Sequence, residues 1–437
     1  MDKLLIYVPK LTQRIRYTFK LVFSDLLLMN YDLTTDLDYF LSADRPKMQY
    51  AGKPYSDDIF FKSHGLLLKR GIEVIPVDVV EYQGINAFFP SGDNMSAMPF
   101  DVFSAIFYLT SRYEEYLPFV RDKHGRFTAE KSLAFNLGFL SKPVVNIWAL
   151  KLREILLKKY PNLKYSIRKY KFIPTYDIDT AWAYDQKGLA RTLGGYFLAL
   201  KRMDWDDIKE RTLVLLRKKK DPFDTYDLQL NYQKKYGLKP VYFFLFARYS
   251  NYDKNINTRN RKFRLLIKRI TDYAKIGIHP SYYSVEHPEL LKKELEDLEK
   301  VVNKDVNRSR QHFLRLIMPN TYRNLMDNDI MDDYTMGYAS KPGFRASICT
   351  PYYFYDLDIE HETTLRINPF AVMDGTLKDY MDLTPEDALI MVKDLIDEVK
   401  KVNGTFISLW HNESLSNRLR WKGWREVYEK LLEMAVA

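Results

Sequence analysis

Lys171-Phe172-Ile173-Pro174-Thr175-Tyr176-Asp177-Ile178-Asp179 is the stretch from which the fold of this chain can be read. Its first six residues are largely apolar and rich in aromatic and β-branched side chains, so Lys171–Tyr176 reads as a buried strand. Two carboxylates follow, one residue apart. Side chains alternate along extended backbone, so Asp177 and Asp179 stand on the same side. A buried strand that ends in paired acids presents charge at its carboxyl end.

Outward from this stretch the pattern repeats. Pro240–Phe246, Lys275–Ile278, Gln311–Leu316 and Thr405–Trp410 read as further strands, separated by amphipathic helices over Arg261–Ala274 and Pro288–Val302, with Pro288 suited to a first helical turn. Strand–helix alternation predicts an α/β fold with a parallel sheet or barrel, whose chemistry gathers at the carboxyl ends of the strands. Three of the chain's seven histidines sit at those ends: His279, His312 and His411. A single histidine is commonly a structural residue; three at strand termini in one half form a pattern.

Carboxylate and neutral imidazole are ligands for zinc and similar ions, and a catalytic zinc site uses three protein ligands plus an open position. Asp179 and His279 supply two. His312 is the first choice for the third and His287 the second, the latter also placed to cap the helix that starts at Pro288. Close to a cation, one acid of the Asp177/Asp179 pair stays ionised as ligand while the other accepts a proton from water.

The order of these motifs resembles the polysaccharide deacetylases, the NodB-homology group or carbohydrate esterase family 4, over about residues 165–437. Thr175-Tyr176-Asp177-Ile178-Asp179 is similar to the family's Thr-Phe-Asp-Asp, with one residue inserted; the resemblance makes Asp177 the general base and Asp179 a metal ligand. Ile278-His279-Pro280-Ser281 resembles His-Ser/Thr-x-x-His, but the second histidine's place is taken by Tyr283. Ser309-Arg310-Gln311-His312-Phe313 resembles Arg-x-Pro-Tyr, in which the arginine steadies the base. Its proline falls on His312, which offers an imidazole in place of the one missing at Tyr283. Ile407-Ser408-Leu409-Trp410-His411-Asn412 resembles Leu-x-His, whose histidine protonates the leaving group. Asp333 to Tyr338, followed by Gly343-Phe344-Arg345, is similar to divergent bacterial members.

The resemblance implies a distorted (β/α) barrel that removes an acetyl group from an N- or O-acetylated sugar, with Asp177, His411 and Arg310 catalytic and Asp179, His279 and His312 holding a divalent metal. Zinc is the first expectation, with cobalt, nickel or iron also suited to that donor set. Tyr176, Arg345 and Trp410 are the expected substrate contacts. The alternative is a deacetylase-like module that binds glycan without cleaving it.

The chain has 437 residues, more than the roughly 100–200 of one domain, and its pattern changes near residue 165. Residues 1–165, where helical stretches such as 100–116 and 142–159 stand out, are expected to form a smaller α+β domain; residues 166–437 form the deacetylase-like one. Phe107 to Tyr116 and His124 to Phe127 are similar to the uncharacterised domain that precedes such deacetylases in bacterial chains. That part reads as accessory, completing the cleft or mediating a homodimer, with Arg112, Glu114 and Glu115 as an ion-paired helix face.

Net charge is +10, scattered except for runs such as Arg217-Lys218-Lys219-Lys220, and no nucleic-acid motif accompanies it. It reads as a solvated basic surface, with an anionic glycan, a nucleotide-sugar or a membrane surface as other uses. One cysteine, Cys349, makes no internal disulfide. No stretch approaches the ~20 apolar residues of a membrane span, and Lys3, Pro9, Lys10 and Arg14 interrupt a signal-peptide core, so a cytoplasmic protein is expected. The chain lacks a Gly-x-Ser-x-Gly elbow and a Walker-type loop. A glycosidase would need its two acids ~5 Å or more apart across the scissile bond, which the close Asp177/Asp179 pair does not suit.

Overall fold

Short apolar runs alternating with helices build two separate parallel sheets. The computed structural model describes residues 3–437. The first sheet holds β1 (Leu4–Tyr7), β2 (Tyr31–Thr34), β3 (Lys47–Ala51) and β4 (Ile59–Lys62) in the order β2-β1-β3-β4, all parallel. β5 (Val79–Tyr82) and β6 (Ile85–Phe88) form a hairpin beside it. Helices Gln13–Phe19 and Leu37–Ser42 lie between the strands, so this part interleaves helix and strand where an α+β segregation was expected. The helix expected over residues 100–116 ends at Thr110, because Arg112 turns the chain with φ of 55°.

The second sheet has nine strands: β7 (Lys171–Ile178), β8 (Val241–Leu245), β9 (Lys275–His279), β10 (Arg308–Ser309), β11 (Asp332–Asp333), β12 (Tyr352–Asp356), β13 (His361–Ile367), β14 (Val372–Met373) and β15 (Thr405–His411). Their order is β12-β13-β11-β10-β9-β8-β7-β15-β14, parallel except for the β12–β13 pair. Pro174 lacks an N–H to donate, and it is tolerated in this central strand because β8 joins β7 only from Thr175 onward. Gly277 lets β9 lie close to its neighbours; a Cβ there would stand 2.5 Å from the Phe243 ring and 2.8 Å from the Arg308 carbonyl.

The expected barrel is not closed. β12 and β14 are free edges of the order, and β14 is only two residues long, too short for a closing ladder. A single hydrogen bond, from Phe370 N–H to Met336 O (3.1 Å), ties the segment before β14 to the segment after β11, and Ala371 N–H to Ile407 O (2.9 Å) extends the β14–β15 ladder. The sheet still encloses a small apolar cluster with Phe243, Phe370, Met373, Ile407 and Leu409. Its other face packs Tyr176, Tyr242, Phe244 and Trp410 into a larger core that also takes in Phe103, Phe107 and Trp148 of the amino-terminal part.

Gln311–Leu316, expected as a strand, is instead a tight turn. β10 ends at Ser309, and Phe313 and Leu314 take positive φ of 58° and 54°. Arg112, Glu114 and Glu115 are ion-paired as expected, but buried between the two parts rather than on a solvated face. Among the described residues no helix is long and apolar enough to cross a membrane.

Candidate metal centre and cleft

The carboxyl ends of β7, β9 and β15 and the turn after β10 converge on one cleft of about 740 Å³. One ligand atom from each of Asp179, His279 and His312 lies within 4.8 Å of the others. Asp179 Oδ1 is 3.3 Å from His279 Nε2, and Asp179 Oδ2 is 3.6 Å from His312 Nε2. Donors at ~2.1 Å around a tetrahedral ion stand roughly 3.4 Å apart, so these spacings suit a shared cation.

The tautomers point the same way. His279 Nδ1 lies 2.5 Å from the Arg310 carbonyl, which only accepts, so Nδ1 carries the hydrogen and Nε2 keeps its lone pair. His312 Nδ1 donates to Asp253 Oδ1 at 2.9 Å, a buried carboxylate that also receives the Tyr282 N–H. Such outer partners fix ring orientation and raise ligand basicity in metal sites. Asp179 Oδ1 is buried without a hydrogen-bond partner, which costs free energy unless a cation satisfies it. Burial pushes the Asp179 carboxyl up, but the His312 imidazole, and after it that of His411, outweigh it and hold it well below the usual carboxylate range. His312 is pushed up to about 9: burial opposes its charge, and Asp179 and Asp253 outweigh that. The donor set therefore fits a divalent cation.

Two proton-handling groups flank it. Asp177 is buried, its Oδ1 held by Arg310 Nη1 at 2.8 Å, while Oδ2 faces His279 Nε2 at 3.7 Å. Arg310 is itself fixed by the Tyr334 carbonyl and lies over the Phe243 ring. His411 sits opposite Asp177 in the β15–β7 register. Its Nδ1 donates to Asp374 Oδ1 (2.7 Å), Asp374 Oδ2 takes the His411 N–H, and Nε2 faces Asp179 at 3.8 Å. Burial opposes charge on His411, but Asp374 and then Asp179 and Asp177 hold its pKa well above the ordinary imidazole value.

Asp177, Asp179, His279, Arg310, His312 and His411 are thus brought together. The other expected site residues are not. Tyr176 and Trp410 are buried on the opposite face of the sheet, where the Tyr176 hydroxyl bonds that of Tyr428 and the Trp410 ring meets Tyr428. Arg345 is buried against Glu115, Nε to Oε1 at 2.9 Å and Nη2 to Oε2 at 2.6 Å, and does not line the cleft. His287 is exposed beside Glu289, away from the centre. Tyr283, at the position of the missing histidine, is part-exposed and packs on Tyr252 and Tyr282. Sequence reasoning missed Asp253 and Asp374. Asp374 directly follows the two-residue β14, a weak form of the strand-end signal; Asp253 lies in a loop and carries none.

The amino-terminal part also reaches the cleft. Lys123, His124 and Arg126 line it with Tyr380, Arg420 and Trp421. Arg126 Nη1 donates to the Phe313 carbonyl (2.9 Å) and Arg315 Nε to the His124 carbonyl (2.8 Å), tying that loop to the His312 turn.

Residues 4–161 match the model of a family of unknown function, DUF7033. No curated protein matches the chain in sequence. Among solved structures the chain is similar to a protein from Mycobacterium smegmatis assigned as a polysaccharide deacetylase, at 14% identity and a TM-score of 0.39, over 61% of this chain and 85% of that one. It is similar to a polysaccharide deacetylase from Bacillus cereus at 11% identity and a TM-score of 0.31, covering 61% and 86%. A CE4 family pseudoenzyme from Bacillus anthracis aligns at 13% identity and a TM-score of 0.29, covering 61% and 63%. Likeness at this level carries no argument about activity, which rests on the site's own atoms.

Proposed function

We propose that the chain is a metal-dependent hydrolase that removes acetyl groups from a sugar or a polysaccharide precursor. The observation that carries this is the meeting of Asp179, His279 and His312 between a carboxylate held by arginine and an imidazole held by aspartate. The acetylated sugar comes from the motif resemblance; the residues account for the hydrolysis.

A divalent cation held by Asp179, His279 and His312 would acidify an attacking water and polarise an acyl carbonyl. Asp177 takes the water's proton on Oδ2, since Arg310 occupies Oδ1. Arg310 and the short reach of the β7 end fix that carboxylate in place. His411, kept protonated by Asp374, delivers a proton from Nε2 to the departing amine or alcohol. Asp374 acts through His411 as a positioning residue. The donor set suits zinc first, with cobalt, nickel or iron also fitting. A cytoplasmic location would favour a biosynthetic precursor as substrate.

The test measures acetate release from N- and O-acetylated oligosaccharides together with elemental metal content. Expected are a bound transition metal, turnover that a chelator abolishes, and an Asp177→Asn variant that keeps the metal while losing about 10²–10⁴-fold in rate. A protein that binds oligosaccharide, takes up no metal on reconstitution and releases no acetate would instead be the binding-only module.

A further inference from the structure

A helical hairpin, Leu189–Lys201 and Trp205–Leu215, follows β7 and leaves large apolar side chains in water. Leu189 is 84% exposed, Leu193 66%, Phe197 67%, Met203 75% and Trp205 65%. Leu189, Leu193, Phe197 and Leu200 recur at spacings of four, four and three, which puts them on one stripe of the first helix. Scattered exposed leucines need no explanation, but a contiguous stripe that includes an aromatic marks an interaction surface. The second helix covers the rest of that helix: Tyr196, beside the stripe, bonds Thr212, Gly195 admits the Arg211 guanidinium, and Ala199 is buried.

The charge around the stripe says what covers it. Residues 187–220 hold ten Lys and Arg and four Asp and Glu, a net +6 out of the whole chain's +10. Two of the acids are already paired, Asp207 with Arg211 and Glu210 with Lys219 and Arg418. Lys201, Arg202, Lys209 and Lys218 are exposed and have no ion pair among the described residues. A second copy of the same face would bring like charges together. An apolar stripe bordered by free cations fits a surface that is both apolar and anionic.

We infer that this hairpin docks the protein on an anionic lipid bilayer, with Leu193, Phe197 and Trp205 entering the interface and Lys201 and Arg202 meeting the headgroups. The first helix has 13 residues, too short to span, so the contact is peripheral. The hairpin follows the end of β7 that carries Asp179, and none of its residues lines the cleft. The inference stands independently of the proposed hydrolysis.

The test is co-sedimentation of the full chain with vesicles of phosphatidylcholine alone or with about one-third phosphatidylglycerol. Expected is pelleting with the anionic vesicles that weakens at high salt. Each cation near such a surface is worth about fivefold in partition, so Lys201→Gln/Arg202→Gln should cost about thirtyfold. Leu193→Ser/Phe197→Ser/Trp205→Ser, at exposed positions that do not threaten the fold, should bind neither vesicle. Three results overturn the inference: no pelleting at low salt, pelleting unchanged in both variants, or a dimer without vesicle binding that the serine variant splits.

Discussion

Two clusters of buried charge differ in how their accounts close. At the junction of the two parts, Arg112 and Arg345 face Glu114 and Glu115, and all four carboxylate oxygens accept hydrogen bonds, so the one unpartnered atom of these four side chains is a donor, Arg112 Nη1. In the cleft, Asp177, Asp179, Asp253 and Asp374 share one permanent cation, Arg310, and Asp179 Oδ1 has no donor. From sequence the two look alike, acids and bases close together. Only the open one leaves room for a cation: a closed cluster holds the fold, and an open one is where a ligand contributes what is missing.

The largest effect should come from the open cluster. Asp179→Asn removes the unpaired ligand oxygen, so metal affinity should fall by more than the about 10–100-fold that outer partners cost, and turnover with it. Calorimetric metal titration checks this; tight binding retained by the variant would break the contrast. The closed cluster should respond in stability instead. Glu115→Gln strips charge from a carboxylate that serves two buried guanidiniums, at a cost of about 3–5 kcal/mol. Urea unfolding should show that loss while the folded variant binds metal with unchanged affinity.

How much of this was visible in the sequence follows the same division between local and distant causes. β7, β8, β9 and β15 were legible to within two residues, since buried parallel strands write themselves as apolar runs. The first sheet was not: β2 is half-buried along its whole length and β3 carries a buried Gln49, so neither writes an apolar run. The turn at His312 was misread because Phe313 and Leu314 are as apolar as strand residues, and only tertiary contact puts them at positive φ. The ligands were legible from strand ends. Tyr176 and Trp410 fell to parity: the alternation that pairs Asp177 with Asp179 sends their neighbours to the far face. Arg345 finds its partner 230 residues away, which no local signal records.

A third buried carboxylate sharpens the comparison through pH. Glu294, on the helix Pro288–Val302, accepts the Ser281 N–H at 2.9 Å, and burial pushes its pKa up from 4.5 to about 7. Below the unfolded value of 4.5 it is protonated in both states and its stabilisation is fully present. As pH rises to about 7 the unfolded chain gives up the proton first, so stability falls, by on the order of 3 kcal/mol. Glu294→Gln should flatten the unfolding free energy over that window; a slope unchanged by the substitution would assign it to other groups.

The smallest effect discriminates most finely. Asp253→Asn keeps an oxygen to accept the His312 Nδ1–H but removes the charge that raises the ring's basicity. If His312 is a ligand, metal affinity should drop about 10–100-fold with little loss of stability. If His312 is only a buried structural histidine, its ring loses a charged partner, so stability should fall while metal affinity stays. Competition with a chromophoric chelator measures one quantity and thermal unfolding the other. The two readings predict opposite patterns, so a fall in stability alone would remove His312 from the site and reopen the third ligand position.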